Sequence, residues 1–197
     1  MTLNTPTLPA ALALCFGLAA SAAQAADPVA KLVPAQSEVV FTIKQMGVPV
    51  EGKFKKFDAQ VSFDAKKPEA GKVGFTIDIG SATMGSAEAD AELPKPVWFG
   101  TAKFPQATFQ SAAIKAVGGA RYEVTGKLGI KGNLKDVVVP VTIAAPTAAG
   151  GPSIASGAFT IKRLEFKVGE NEWADTSMVA NDVQVRFKLA LTGLGAP

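Results

Sequence analysis

Lys72-Val73-Gly74-Phe75-Thr76-Ile77-Asp78-Ile79 is the stretch that decides the fold class. Val73, Phe75, Ile77 and Ile79 take every second position, and Lys72, Gly74, Thr76 and Asp78 fill the others. Successive side chains of a strand point to opposite faces, so this run predicts a strand with one face buried. The same period continues outward along the chain. Val39, Phe41 and Ile43 alternate with Val40, Thr42 and Lys44, and Phe57, Ala59, Val61 and Phe63 alternate with Asp58, Gln60 and Ser62. Tyr122, Val124, Gly126, Leu128 and Ile130 form another set, and residues 137–143 are β-branched almost throughout. Residues 155–163 put Phe159 and Ile161 on one side, and Val183, Val185, Phe187, Leu189 and Leu191 close the series.

Turn residues separate these runs: Lys66-Lys67-Pro68, Gly118-Gly119, Gly132-Asn133 and the Ala- and Gly-rich stretch from Pro146 to Pro152. One short helix is expected over residues 86–93, stopped by Pro94 and Pro96. Ser86 stands at its N-cap position, with Glu88 and Asp90 in a first turn that favours negative charge.

Seven or eight strands joined by short turns make an all-β meander. Closing it into a single antiparallel up-and-down barrel of about eight strands removes the exposed edges and leaves room for one small ligand. A solid sandwich packed with the twelve phenylalanines shares the same alternation. So does a small outer-membrane barrel with its faces inverted. The latter has only Tyr122, Trp98 and Trp173 for two aromatic girdles, and no terminal aromatic strand.

Composition narrows function. The 197 residues include no histidine and one cysteine, with a formal net charge of +3. Ser-His-Asp and Cys-His catalysis are excluded, as are His-ligated metals. No carboxylate spacing assembles an oxygen-ligand metal site. Nucleic acid is disfavoured by the lack of interleaved basic and aromatic residues. Weak attraction to an anionic membrane surface suits the basic balance better.

Residues 1–25 carry no charged side chain and end in Ala23-Gln24-Ala25, a small-x-small pattern. The apolar run is shorter than the ~20 residues a spanning helix needs. We read residues 1–25 as a cleaved secretory signal peptide that takes Cys15 with it, and residues 26–197 as one exported, periplasmic domain.

From Lys31 onward the chain resembles the YceI-like family, the polyisoprenoid-binding or lipid-binding YceI domain. The likeness rests on the order and spacing of several short signatures. These are residues 37–43 (SEVVFTI), 50–57 (VEGKFKKF) with Phe63-Asp64, 103–111 (KFPQATFQS), 126–132 (GKLGIKG), 163–166 (RLEF) and 181–185 (NDVQV). Two departures stand out. Pro94 and Pro96 interrupt the stretch before Trp98-Phe99, where the family usually has a helical segment with a histidine, and Lys167 replaces a glycine that often follows the Arg-x-acid-aromatic motif.

The resemblance implies an extended lipocalin-like barrel in the bacterial periplasm. It would be no enzyme and would need no cofactor, holding instead an isoprenoid lipid such as a polyprenyl phosphate or a quinone tail. It also implies a stress-response association, a homodimer, and, as an alternative role, a non-catalytic partner of a membrane redox protein of the cytochrome b561 type.

On the alternation, the ligand tunnel falls to Phe41, Ile43, Phe54, Phe63, Phe75, Ile77, Ile79, Phe109, Leu128, Ile130, Phe159, Ile161, Phe166, Val185, Phe187 and Leu189. Met84, Leu93, Trp98 and Phe99 close one end. For each of these, plain core packing is the equal alternative. Arg163 and Arg186 lie among apolar neighbours and are the head-group candidates. The alternative for them is an exterior salt bridge, with Glu165 for example. Glu170 and Glu172 sit in a turn-like stretch and are expected to be solvated rather than a catalytic pair.

Overall fold

The computed structural model describes Met1 and residues 29–194. The expected leader and its cleavage after Ala25 lie outside the described 29–194 span. In chain order the elements are β1 (Val29–Leu32), β2 (Glu38–Gln45), β3 (Val48–Phe54), β4 (Phe57–Ser62), β5 (Lys72–Asp78), β6 (Ala82–Thr83), α1 (Ala87–Glu92), β7 (Gln106–Gly118), β8 (Arg121–Ile130), β9 (Asn133–Ala144), β10 (Ser153–Lys162) and β11 (Val179–Thr192).

Every strand pairing is antiparallel, and the sheet closes through β1 against β11. β1 and β2 lie end to end along one edge of β11, separated by a 3-10 turn at Pro34–Gln36. β3 and β4 follow the same course, with β3 paired to β2 and β4 to β1. β5 and β6 continue the pattern against β4 and β3. Counting each broken strand once gives a closed 8-strand up-and-down barrel. Closure of the ladder rules out the two-sheet sandwich.

The breaks explain why fewer runs are visible in the sequence than strands exist in the fold. β1 and β6 are too short to show a period, and Pro34 has no N–H to carry a ladder through the turn. β7 hides for a different reason. Ala107 and Ile114 both face the interior although their numbers differ in parity, because a bulge between Ser111 and Ala113 inserts an extra residue.

Two strand ends are corrected as well. Ile79 and Arg163 each open a 3-10 turn instead of ending a strand. α1 begins after Ser86 as expected, but the Ser86 side chain makes no capping bond. The helix is tied down by Asp90, whose carboxylate accepts from Thr83 Oγ1 at 2.6 Å and from the Met84 N–H at 2.6 Å.

The inward rows are apolar and the outward rows charged. On the outer face Lys127 pairs with Asp136 and Lys162 with Asp182 across neighbouring strands, and Arg186 of β11 reaches over β2 to Glu51 of β3. A membrane-spanning barrel requires an apolar band there, so the inverted arrangement is overturned.

Candidate ligand tunnel

The barrel interior is not filled. A cavity of about 420 Å³ runs inside it, within the ~300–1,000 Å³ range of small-molecule sites. Every apolar residue assigned to the tunnel from the sequence lines this cavity, from Phe63 and Leu189 toward one end to Met84, Leu93, Trp98 and Phe99 at the other. The alternation places them there: within β5, Phe75 and Ile77 point in while Thr76 and Asp78 do not line it.

Several lining residues escape the sequence reading. Val61 and Val124 belong to alternating rows already visible, and Val139 and Ile143 to the run 137–143, whose apolar residues on both faces hide which side is inward. Met46, Val168, Trp173 and Met178 come from turns, where no periodicity marks a side chain as inward. Trp98 and Trp173 meet with ring centroids 5.4 Å apart, and Trp98 Nε1 is buried without a partner among the described residues.

Three inward glycines keep the interior open. Phe41 lies over Gly52, Phe109 over Gly126 and Phe187 over Gly157, each ring resting on the backbone of an adjacent strand. A side chain at any of these glycines would push the ring toward the axis.

The segment that closes the tunnel near Trp173 is fixed by two cations. Arg163 is only 2% exposed. Its Nε donates to Ala180 O at 3.0 Å, Nη1 to Val168 O at 2.9 Å and Gly169 O at 2.7 Å, and Nη2 to Val179 O at 2.7 Å and to Trp173 O. All five N–H donors of the guanidinium are thereby used. Burial pushes its pKa down from the ordinary value, yet an arginine stays charged in a protein. Lys131, with a side chain 8% exposed, donates to Lys167 O, to Val97 O at 3.4 Å and to Glu170 Oε2 at 3.1 Å.

These contacts correct the head-group assignment. Arg163 makes no ion pair with Glu165 and has no N–H left for a ligand. Arg186 faces outward, half exposed, with Nη2 donating to Glu51 Oε2 at 2.6 Å. Glu170 is held by Lys131, at 3.1 Å, instead of standing free in solvent. Among the described residues no group of three or more His, Cys, Asp and Glu side chains could hold a metal ion, and none of the described helices is long and apolar enough to cross a membrane.

A YceI-like domain profile matches residues 31–191, most of the chain. The chain belongs to the YceI-like family. It is 38% identical over 132 residues to a UPF0312 protein of Azotobacter vinelandii, covering 66% of this chain and 69% of that protein. It is similar to the crystal structure of Burkholderia cenocepacia BcnA, with 45% identity and a TM-score of 0.77 over 81% of this chain and 98% of that one. A polyisoprenoid binding domain from Saccharophagus degradans shares the fold at 18% identity, with a TM-score of 0.63 over 86% of this chain and 99% of that one.

The two departures from the usual YceI-like pattern have local explanations. After Pro94 the backbone turns through Phe99 N–H to Leu93 O at 3.1 Å and Gly100 N–H to Lys95 O at 2.9 Å, and Trp98 and Phe99 line the tunnel from this turn. Lys167 has φ +57°, the left-handed conformation that favours glycine. Lysine holds it at a local cost, with its carbonyl engaged by Lys131.

Proposed function

We propose that this chain is a non-catalytic periplasmic binding protein that encloses the tail of a long isoprenoid, a polyprenyl phosphate or an isoprenoid quinone, for carriage or storage. The observation that carries the reading is an apolar tunnel open along the inside of the barrel. Val179 and Leu191 both line it. At ~3.3 Å per residue and with strands tilted ~35–45°, those two positions on β11 stand about 30 Å apart along the axis. A slender chain of several isoprene units suits that shape better than a compact ligand does.

The energetics agree. Each buried CH₂ is worth ~0.8 kcal/mol against water, so a five-carbon unit contributes about 4 kcal/mol. Association costs ~4–15 kcal/mol, so several units must be enclosed before binding is useful. Against lipid the tail gains little, because hydrocarbon is as apolar as the tunnel wall. Loading from a membrane is then a near-balanced exchange, as a carrier that must also release its ligand requires. The polyisoprenoid-binding domain from Saccharophagus degradans supports the ligand class by likeness of fold.

Mass spectrometry of organic extracts from the natively purified protein tests this. An isoprenoid in near-stoichiometric amount is the expected result, and an empty barrel would overturn it in favour of the partner-module alternative. Amino-terminal sequencing of the exported form is expected to begin at Ala26.

A further inference from the structure

The barrel wall has a seam, at the break between the paired short strands, where its ladder lapses. Between β1 and β4 pairing ends at Lys31 with Gln60, and between β2 and β3 it resumes at Val39 with Phe54. In the interval, the Pro34–Gln36 turn and Ser37 face Lys55 and Lys56 without a bond between them. Lys55 N–H turns away to Ser81 O at 3.2 Å and Lys56 N–H to Ser81 Oγ at 2.9 Å, while Ser37 Oγ donates to Val33 O at 2.8 Å. A cleft opens here on the outside of the barrel. Val39 and Phe54 line both this cleft and the tunnel, so a single layer of side chains separates the two.

The cleft is basic. Lys53, Lys55 and Lys56 line it, and Glu38 is the one acid among the described residues that does. None of the three lysines is in an ion pair among the described residues. Inside, the opposite holds: Arg163 has spent every donor on backbone carbonyls and Lys131 is pinned by Glu170. Among the described residues that line the tunnel, an anion placed there would meet no free cation and would be desolvated.

We propose that the cleft is the head-group site of the tunnel ligand and that it takes an anionic phosphate or carboxylate. The tail passes inward beside Phe54 while the head stays hydrated against Lys53, Lys55 and Lys56. Charge-assisted bonds from ammonium groups to phosphate oxygens supply the attraction. Within the proposed function, this selects an anionic isoprenoid over a neutral quinone.

The test compares farnesyl phosphate with farnesol on the delipidated full chain at low salt. The wild type is expected to bind the phosphate about tenfold tighter, and the preference should weaken with added salt. In Lys53→Gln/Lys55→Gln/Lys56→Gln the ratio should collapse toward one, with the unfolding midpoint monitored to confirm a folded barrel. Glu38→Gln should raise it. Lys95→Gln, just past α1 and outside the cleft, should leave it unchanged. A ratio that survives the triple change, or one that responds to Lys95→Gln, overturns the cleft as the head-group site. Farnesol binding with no phosphate preference in the wild type overturns this inference alone. Failure of both probes to bind overturns the tunnel reading on which it rests.

Discussion

Phe41 lies flat across Gly52 of the neighbouring strand, so close that a Cβ at position 52 would stand 2.7 Å from Phe41 Cε2. The missing side chain is what lets a phenylalanine point inward without blocking the lumen. Gly126 beneath Phe109 and Gly157 beneath Phe187 repeat the device, each with the ring Cζ 2.6 Å from where a Cβ would be. Gly52→Ala is therefore expected to swing Phe41 toward the axis. Overpacking of this kind costs ~1–3 kcal/mol. Urea unfolding should show the loss, and the same preparation should retain less extracted lipid.

The two faces of β5 should respond oppositely. Ile77 lines the tunnel, so Ile77→Asp buries a carboxylate with no partner and should cost several kcal/mol or fail to fold. Thr76 does not line the tunnel and sits directly across from Asp58 on β4. Thr76→Lys gains an opposite charge there and should change stability by less than ~0.5 kcal/mol. Equal tolerance at the two positions in thermal melts would contradict the inward register.

Arg163→Lys keeps the charge but offers three donors where five carbonyls wait. At ~1–3 kcal/mol for each buried acceptor left unmade, the variant should lose at least ~2 kcal/mol. Hydrogen exchange should rise in residues 163–179 before the rest of the barrel opens. Uniform exchange throughout would show that this segment is not held by the guanidinium.

Lys167→Gly should act in the other direction. A residue with a Cβ pays ~1–2 kcal/mol in the left-handed region, offset in part by the extra freedom glycine has when unfolded. A net gain of about 0.5–1 kcal/mol is expected, visible as a higher denaturation midpoint. A loss would mean that the Lys167 side chain itself contributes to the fold.

Asp90 gives the pH signature of the helix anchor. The hydroxyl of Thr83 and the N–H of Met84 hold its carboxylate below the ordinary value of 3.8. Its folded pKa is depressed, so its contribution is full above 3.8 and is lost as pH falls through the lower folded value. Asp90→Asn should therefore be less stable than the wild type at pH 7, and the difference should shrink in acid below 3.8. A constant gap down to the acid limit would refute the assignment.

How far the sequence can be read varies from one element to the next. Phe75, Ile77 and Leu189 are legible as inward residues because each sits in an unbroken period-two run. Ile114 is not, since the bulge after Ser111 changes the parity that the period depends on. Met46, Trp173 and Met178 belong to turns and reach the tunnel only through the packing of distant segments. Arg163 is the clearest case of a residue whose type is visible but whose role is not. Its five partners lie between Val168 and Ala180, in a stretch with no periodic signal.

Alternation and turn chemistry in the sequence by itself determined an all-β chain of inward and outward rows, since the side-chain period of a strand is a local geometric property. The same residues determined which chemistry is absent, because without histidine and with one cysteine no arrangement in space supplies those groups. Only the tertiary structure decided that the rows close into a barrel, through the pairing of β1 with β11, and that the interior is a tunnel. It alone decided that Arg163 serves the backbone and that Arg186 faces Glu51 on the outer surface. The reason is that ring closure, a phenylalanine lying over a glycine on the next strand and a buried guanidinium all join residues far apart in the chain. Local periodicity carries no record of such partners.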